Sequence, residues 1–321
     1  CIVSRGAIPV LVEVGEDLCM DPEDMKLKIT PRTAAAIVVH MCGAAADMDP
    51  IMEVARRHKL KVIEDCAQAA TMKYRGRFVG LIGDVGCFSL QQNKHLTCYY
   101  GGYLLCQDEK LARALNLSRD TGIERSMNVV DHRNKNEVMW GMGYGMNPLA
   151  RGMAQAQMRK ADRIIGSMQH AQHRILTGIS GIEGVKPRPL ADPESDGGSF
   201  LITYWPDKAT AVRAAEALKA EGVPQWTWHL ADYGCHIYSN IRPLVEKAPW
   251  IRGGGPCPWN CPHNRESDYS YSRGALPQSD ALFALAVLMA VPSKLSDDQC
   301  DRIAAAYRKV AAHLLGDGVQ R

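Results

Sequence analysis

The sequence lacks a long hydrophobic run, a strong charge bias and a targeting segment. Its longest apolar run, residues 281–291, is eleven residues long, well short of the ~18 that a membrane-spanning helix needs. The net charge of +3 is neither the basic excess of a nucleic-acid-binding protein nor a signal for anionic membranes. The sequence therefore predicts neither a nucleic acid nor a membrane as partner.

The cysteines also lack the spacing of a disulfide framework. Eleven cysteines, an odd number, are scattered along 321 residues, unlike the dense cysteines of small secreted domains. We therefore expect reduced thiols in a cytoplasmic protein. The chain opens on Cys1 with no basic segment, and the missing initiator methionine suggests that it begins inside a larger protein.

The order of apolar and helix-starting segments indicates a parallel α/β sheet. A strand is expected over 34–40, a helix from Asp49-Pro50 and a strand over 60–64, which together form a βαβ unit. The unbroken small and β-branched run at 34–40 is typical of a strand covered on both faces. Further strands are expected at 8–14, 85–90, 102–106 and 200–204, and further helices from Asp21-Pro22, over 108–117, 148–176 and 209–221, and from Ser296.

The length predicts about two domains. Composition shifts after the long helical pattern at 148–176, where a turn-rich stretch runs from Pro187 to Gly198. We predict an α/β domain over residues 1–182, which includes the long connecting helix, and a smaller α+β domain over residues 183–321.

Three polar residues follow or end predicted strands: Asp65, Ser89 and Lys94. Ligands of parallel α/β sheets gather beyond the carboxyl ends of the strands. A carboxylate, a hydroxyl and an amine there suit a ligand with a basic nitrogen, an anionic group and a carbonyl, and pyridoxal phosphate has all three. By spacing alone, a surface lysine with a helix-capping aspartate explains the pattern more simply.

Three stretches resemble the DegT/DnrJ/EryC1/StrS aminotransferases: EDCAQA at 64–69, GDVGCFSLQQNKH at 83–95, and Gly101-Gly102. The resemblance extends more weakly over nearly the whole chain. It implies a fold-type I, aspartate-aminotransferase-like fold with a mainly parallel sheet in the large domain, pyridoxal phosphate (PLP) as cofactor, and a homodimer.

The resemblance also implies a role for each of four residues. Lys94 forms the Schiff base with PLP and then moves a proton, and Asp65 pairs with the pyridine nitrogen. Gln68 hydrogen-bonds near the phenolic oxygen, and Ser89 binds the phosphate. The implied reaction transfers an amino group from L-glutamate or L-glutamine to a keto sugar or keto cyclitol, either scyllo-inosose-like or nucleotide-linked.

The chain departs from the family pattern at several positions. Tyr99-Tyr100 replace a Gly-Glu pair of the family. Gly143 and Gly145 occupy the positions where family members have an Asn and an Arg that reach the neighbouring subunit's site. The family's Ser-Gly-Thr phosphate cup would precede residue 1. These departures keep a second hypothesis open: a truncated or non-catalytic homologue with a binding or regulatory role.

The turn-rich region offers candidates for substrate contact and a weak metal motif. By resemblance, His229, His236 and Tyr238 lie where family members contact the sugar or cyclitol. A single C-x₃-C with one histidine at 257–263 lacks the second ligand pair of a structural zinc site. We therefore predict no metal ion.

Overall fold

The computed structural model describes residues 1–122, 125–126, 129–130, 139–223, 226–249, 257–264 and 269–316. The chain folds into two compact units. The parallel-sheet unit comprises Thr33–Gln169 and Leu190–Ser199, and the antiparallel-sheet unit comprises Cys1–Arg32, His170–Pro189 and Phe200–Arg321. The expected domains, 1–182 and 183–321, stay a prediction.

The described residues of the parallel-sheet unit form a four-stranded sheet and two small two-stranded sheets. Its strands are β1 (Ala35–Val39), β2 (Lys61–Asp65), β3 (Lys73–Tyr74), β4 (Arg77–Phe78), β5 (Val85–Ser89), β6 (Gly102–Leu105), β7 (Arg125–Ser126) and β8 (Val129–Val130). The main sheet has the order β1-β2-β5-β6, in which β1, β2 and β5 run parallel and β6 is antiparallel to β5. The predicted mainly parallel sheet is confirmed.

Most helices begin near the helix-start signals of the sequence. The helices up to the end of the long helical pattern are α1 (Pro22–Lys28), α2 (Met48–Arg57), α3 (Glu109–Arg119), α4 (Pro148–Met158) and α5 (Ala161–Ile179). The prediction of one helix over 148–176 is wrong, because α4 and α5 are separate. The Lys160 N–H donates to the Gln157 carbonyl, three residues back, at 2.9 Å, so the helical ladder tightens and stops before α5 begins.

The antiparallel-sheet unit has four strands with the order β11-β12-β10-β9. Its remaining elements are β9 (Lys186–Pro187), β10 (Phe200–Tyr204), α6 (Lys208–Ala220), β11 (Thr227–His229), α7 (Arg242–Val245), α8 (Pro277–Leu285), β12 (Ala286–Ala290) and α9 (Asp297–Leu315). Trp205, Ile175 and Tyr307 belong to its hydrophobic core. The predicted capping box at the start of α9 is present, because Ser296 and Gln299 each bond the other's backbone N–H.

The predicted strand at residues 8–14 is wrong. This segment forms only an isolated bridge between Val14 and Met20, because side chains satisfy its backbone instead of a neighbouring strand. The Val14 N–H donates to the Ser279 hydroxyl at 2.9 Å, and the Tyr271 hydroxyl donates to the Pro9 carbonyl at 2.7 Å.

The longest apolar run changes structure midway, since α8 leads directly into the buried strand β12. Across the described parts of the chain, no helix combines the length and the apolar character needed to span a bilayer.

Candidate active site

Three predicted site residues lie along one edge of the parallel sheet. Asp65 ends β2 and stands opposite Cys87 of β5. Ser89 ends β5, two residues and therefore about 7 Å further along the strand than Cys87. Lys94 follows in a turn closed by its own N–H, which donates to the Gln91 carbonyl at 2.9 Å. The topology therefore places a carboxylate and a hydroxyl at the ends of neighbouring strands and an amine in the turn that follows.

The surroundings of Lys94 lower the pKa of its amine. The side chain is half-buried, and this burial lowers the pKa of Lys94, while the negative charge of Asp65 partly opposes the shift. A larger share of Lys94 is therefore unprotonated near neutral pH than for an exposed lysine. The unprotonated amine is the form that attacks a carbonyl.

Asp65 and Gln68 are each held by one bond that leaves a second polar atom for a ligand. The Ala67 N–H donates to one carboxylate oxygen of Asp65 at 3.0 Å. The buried Gln68 accepts with its side-chain oxygen from the Cys42 N–H at 2.8 Å. That bond orients the amide of Gln68 so that its NH₂ group is the free end, which suits a donor to an oxygen of a ligand.

Ser89 completes a donor set that fits PLP. Its hydroxyl oxygen accepts from the Gln91 N–H at 3.3 Å, so the hydroxyl hydrogen can point to a phosphate oxygen. PLP needs an amine for its carbonyl, an anion for its pyridinium, a donor near its phenolate and donors for its phosphate. Lys94, Asp65, Gln68 and Ser89 offer these groups, and their individual roles stay predictions.

A second network, behind the site, was not predicted from the sequence. Glu64 is fully buried and accepts from the N–H groups of Gly80, Ile82 and Gly83 at 2.7, 2.8 and 2.6 Å. The His40 ring lies against it, with Nε2 at 3.0 Å from the carboxylate. Burial alone would raise the pKa of Glu64, but the bonds from His40, Gly83 and Gly80 outweigh it and hold the pKa below its usual range.

His40 links this network to both Asp65 and Gln68. Its backbone N–H donates to the Asp65 carbonyl at 3.1 Å. Its ring Nδ1 accepts from the Ala46 N–H at 3.1 Å, so the proton sits on Nε2 and is donated to Glu64. The Ala46 bond closes the turn that carries Cys42, whose N–H holds Gln68. A buried Glu following two apolar strand residues, at 62–64, is the only signal in the sequence for this arrangement.

His40, Glu64 and Cys66 have ligand atoms within 4.8 Å of one another, but their chemistry does not suit a metal ion. Both ring nitrogens of His40 are used in hydrogen bonds. Burial raises the pKa of the Cys66 thiol, with further contributions from Glu64 and Asp65, and a metal binds the thiolate. The cluster is better described as a set of hydrogen bonds that joins strand ends.

The predicted substrate residues lie in the antiparallel-sheet unit, where each has a partner within the unit. The His229 ring contacts the Ala284 carbonyl at 2.9 Å and Asp232 at 3.2 Å. The Tyr238 hydroxyl donates to Asp280 at 2.9 Å. His236 stacks on the Tyr233 ring with 4.5 Å between centroids. Contact of these residues with substrate stays a prediction.

The departures from the family pattern are exposed. Tyr99 and Tyr100 are 65% and 74% exposed. Gly143 has φ 67°, a left-handed conformation that favours glycine. Gly145 lies beside the guanidinium groups of Arg119 and Arg151.

Comparisons with known proteins identify the family of the chain. A model of the DegT/DnrJ/EryC1/StrS aminotransferase family matches residues 1–238. The chain is 47% identical over 122 residues to L-glutamine:2-deoxy-scyllo-inosose aminotransferase of Streptoalloteichus tenebrarius. This match covers 38% of the chain and 29% of that relative. It is 32% identical over 312 residues to dTDP-3-amino-3,4,6-trideoxy-alpha-D-glucose transaminase of Streptomyces venezuelae. This match covers 97% of the chain and 72% of that relative.

The fold is shared with solved aminotransferases. The crystal structure of the aminotransferase TlmJ from Streptoalloteichus hindustanus superposes with a TM-score of 0.76 at 23% identity, covering 98% of this chain and 76% of that one. A second relative from S. tenebrarius, 34% identical, is matched over 54% of its length. The chain therefore spans about half, or less, of the cyclitol-related relatives that it matches.

Proposed function

Because the chain belongs to the DegT/DnrJ/EryC1/StrS aminotransferase family, we propose that it carries the PLP site of an aminotransferase acting on keto sugars or keto cyclitols. The observation that carries the proposal is the alignment of Asp65, Ser89 and Lys94 along one sheet edge, with Gln68 held beside them by Cys42. Amino transfer needs an amine, a proton carrier and an acid near one ligand, and these residues supply them.

Each of the four side chains has its own proposed role. When bound, PLP supplies an electrophilic carbonyl and an electron-accepting ring. Lys94 would provide the amine that holds the cofactor, and its free amine would accept the substrate's proton and return it. Asp65 keeps a proton on the pyridine nitrogen. Gln68 and Ser89 orient the ring through its phenolic oxygen and its phosphate.

The names of the relatives support two kinds of acceptor. One is named for L-glutamine and 2-deoxy-scyllo-inosose, and the other for a dTDP-linked amino sugar. We therefore propose L-glutamine or L-glutamate as the donor and a cyclitol ketone or nucleotide-linked keto sugar as the acceptor. His229, His236 and Tyr238 are the proposed substrate contacts in the antiparallel-sheet unit.

A homodimer is part of the proposal, and an exposed apolar surface supports it. This surface, called the 140–153 face, contains Trp140, Tyr144, Leu149 and Met153, which are 92%, 73%, 87% and 51% exposed. Apolar surface of this kind is typical of a protein interface. None of the eleven cysteines, all of which the structure describes, forms a disulfide, and this supports the proposal of a reducing, cytoplasmic location.

The visible absorbance of the purified chain with added PLP tests the proposed function. We expect a new band in the wild type and in Lys110→Ala, a control at an exposed lysine of α3, and no such band in Lys94→Ala. An amino donor should abolish the band of the wild type. Folded wild-type protein without a band would favour the second hypothesis, a non-catalytic homologue with a binding role.

A further inference from the structure

His95, the residue after Lys94, has no role in the proposed chemistry. Its side chain is half-buried, and its ring Nε2 lies 3.4 Å from the Ala70 carbonyl oxygen. The two residues are 25 positions apart in sequence, and both belong to the parallel-sheet unit. The ring of His95 therefore joins the turn that carries Lys94 to a distant part of the same unit.

The turn that carries Lys94, called the lysine turn (residues 91–97), has few other anchors. The Leu90 carbonyl accepts from the Cys98 N–H at 2.9 Å, which closes the base of the turn. In the described part of the chain, the recorded hydrogen bonds of the lysine turn stay within residues 89–99, apart from the bond of His95. His95 is thus the one link from this turn to another segment.

Ala70 lies two residues beyond Gln68, in the turn that follows β2. The Ala69 N–H donates to the Cys66 carbonyl at 3.0 Å, which makes that turn compact. Ala70 itself is buried. The bond of His95 therefore connects the lysine turn to a buried turn that carries another residue of the candidate site.

The charge state of His95 determines which ring nitrogen donates. Burial lowers the pKa of His95, the bond to Ala70 partly opposes this shift, and the positive charge of Lys94 lowers the pKa further. The ring is therefore mostly neutral at neutral pH and carries a single N–H. Because a carbonyl oxygen can only accept, this proton belongs on Nε2.

Given the proposed function, on which this inference rests, we propose that His95 is a positioning residue: its bond to Ala70 holds the amine of Lys94 in place relative to Gln68. Groups that act on one ligand must keep their spacing, and a displacement of about 1 Å can slow a reaction about 100-fold. Without the bond, only the base of the lysine turn and bonds between sequence neighbours restrain the amine.

Amide hydrogen exchange of the full chain, measured without PLP, tests the anchor. His95→Asn puts its amide nitrogen near the position of Nδ1, too far from Ala70 to bond. It should speed the exchange of the lysine-turn amides about fivefold, as expected for one lost hydrogen bond. His95→Gln, whose amide nitrogen lies near the position of Nε2, should exchange as the wild type does. Gln92→Asn shortens an exposed side chain of the same turn and should also match the wild type. Equal exchange in His95→Asn and the wild type would overturn the proposal.

The rate at which the PLP band appears tests the effect on Lys94. His95→Asn should form the band at least about tenfold more slowly than the wild type, and His95→Gln should restore the rate. Rescue by glutamine separates the lost bond from a general loss of stability. A wild-type rate in His95→Asn would contradict the inference. A folded wild type without a band would instead refute the proposed function, and the exchange data would still decide whether His95 anchors the turn.

Nitrogen-15 NMR of the histidine rings in the wild type covers the case in which the variants do not fold. At neutral pH, the His95 signals should show a protonated Nε2 and an unprotonated Nδ1. A proton on Nδ1 would contradict the inference, because Nε2 would then have no hydrogen to donate to Ala70.

Discussion

Replacing Glu64 by glutamine should severely destabilise the parallel-sheet unit. The carboxylate accepts from four donors, the N–H groups of Gly80, Ile82 and Gly83 and the ring of His40. A glutamine retains one acceptor oxygen, and its NH₂ group then faces donors. A tautomer change at His40 would only move the conflict to the Ala46 N–H, which needs Nδ1 as an acceptor.

The size of this effect follows from the bonds that are lost. Two hydrogen bonds to a charged group are worth about 3–6 kcal/mol in total, against a stability of roughly 5–15 kcal/mol for a whole domain. Urea unfolding of Glu64→Gln should show this loss, and the amides of residues 80–83 should exchange hydrogen faster. Glu53→Gln, which removes an exposed ion pair with Arg57, should lose less than about 1 kcal/mol.

The stability that Glu64 contributes depends on pH, and the direction follows from its pKa. The pKa of Glu64 is held below its usual range in the folded protein, so its contribution is fully present above the pKa of an exposed glutamate. It is lost as the pH falls through the folded-state pKa. The stability gap between wild type and Glu64→Gln should therefore narrow in acid. A gap below about 1 kcal/mol at neutral pH, with unchanged amide exchange, would refute the reasoning.

Three further outcomes follow from local geometry. Because burial lowers the pKa of Lys94, PLP adduct formation should be half-maximal below pH 10.5, the value of an exposed lysine; a midpoint at or above it would contradict this. Gly86→Ala should cost about 1–3 kcal/mol in urea unfolding, since its Cβ would collide with the Gly80 backbone. Gly166→Ala, with open space in α5, should instead stabilise by up to about 1 kcal/mol. Ser296→Ala should lose roughly 1 kcal/mol with the capping box, measured as a lower urea midpoint.

Features with local causes could be predicted from the sequence. The helix starting at Pro22 and the capping box at Ser296 depend on residues within one turn, and both are present. The parallel sheet follows from apolar runs of strand length. The strand predicted at 8–14 is absent because strand pairing depends on a partner elsewhere in the chain, and Ser279 and Tyr271 bind the backbone of this segment instead.

The sequence predicts some residues of the candidate site and misses others. Lys94, Asp65, Gln68 and Ser89 are recognisable because they lie in short motifs next to strand ends. The bonds from backbone N–H groups to Glu64 come from residues 16 to 19 positions away. No local pattern encodes such distant pairs, so only the folded chain reveals them.

The division of the chain into units has a consequence for synthesis on the ribosome. The antiparallel-sheet unit is discontinuous: its first piece, Cys1–Arg32, precedes the main body of the parallel-sheet unit, and its last piece begins at Phe200. At about 5–20 residues per second, the first piece waits many seconds for its partners while the parallel sheet can already form. During that interval residues 1–32 are exposed to chaperones and proteases, so the order of emergence makes this early segment a point of vulnerability in folding.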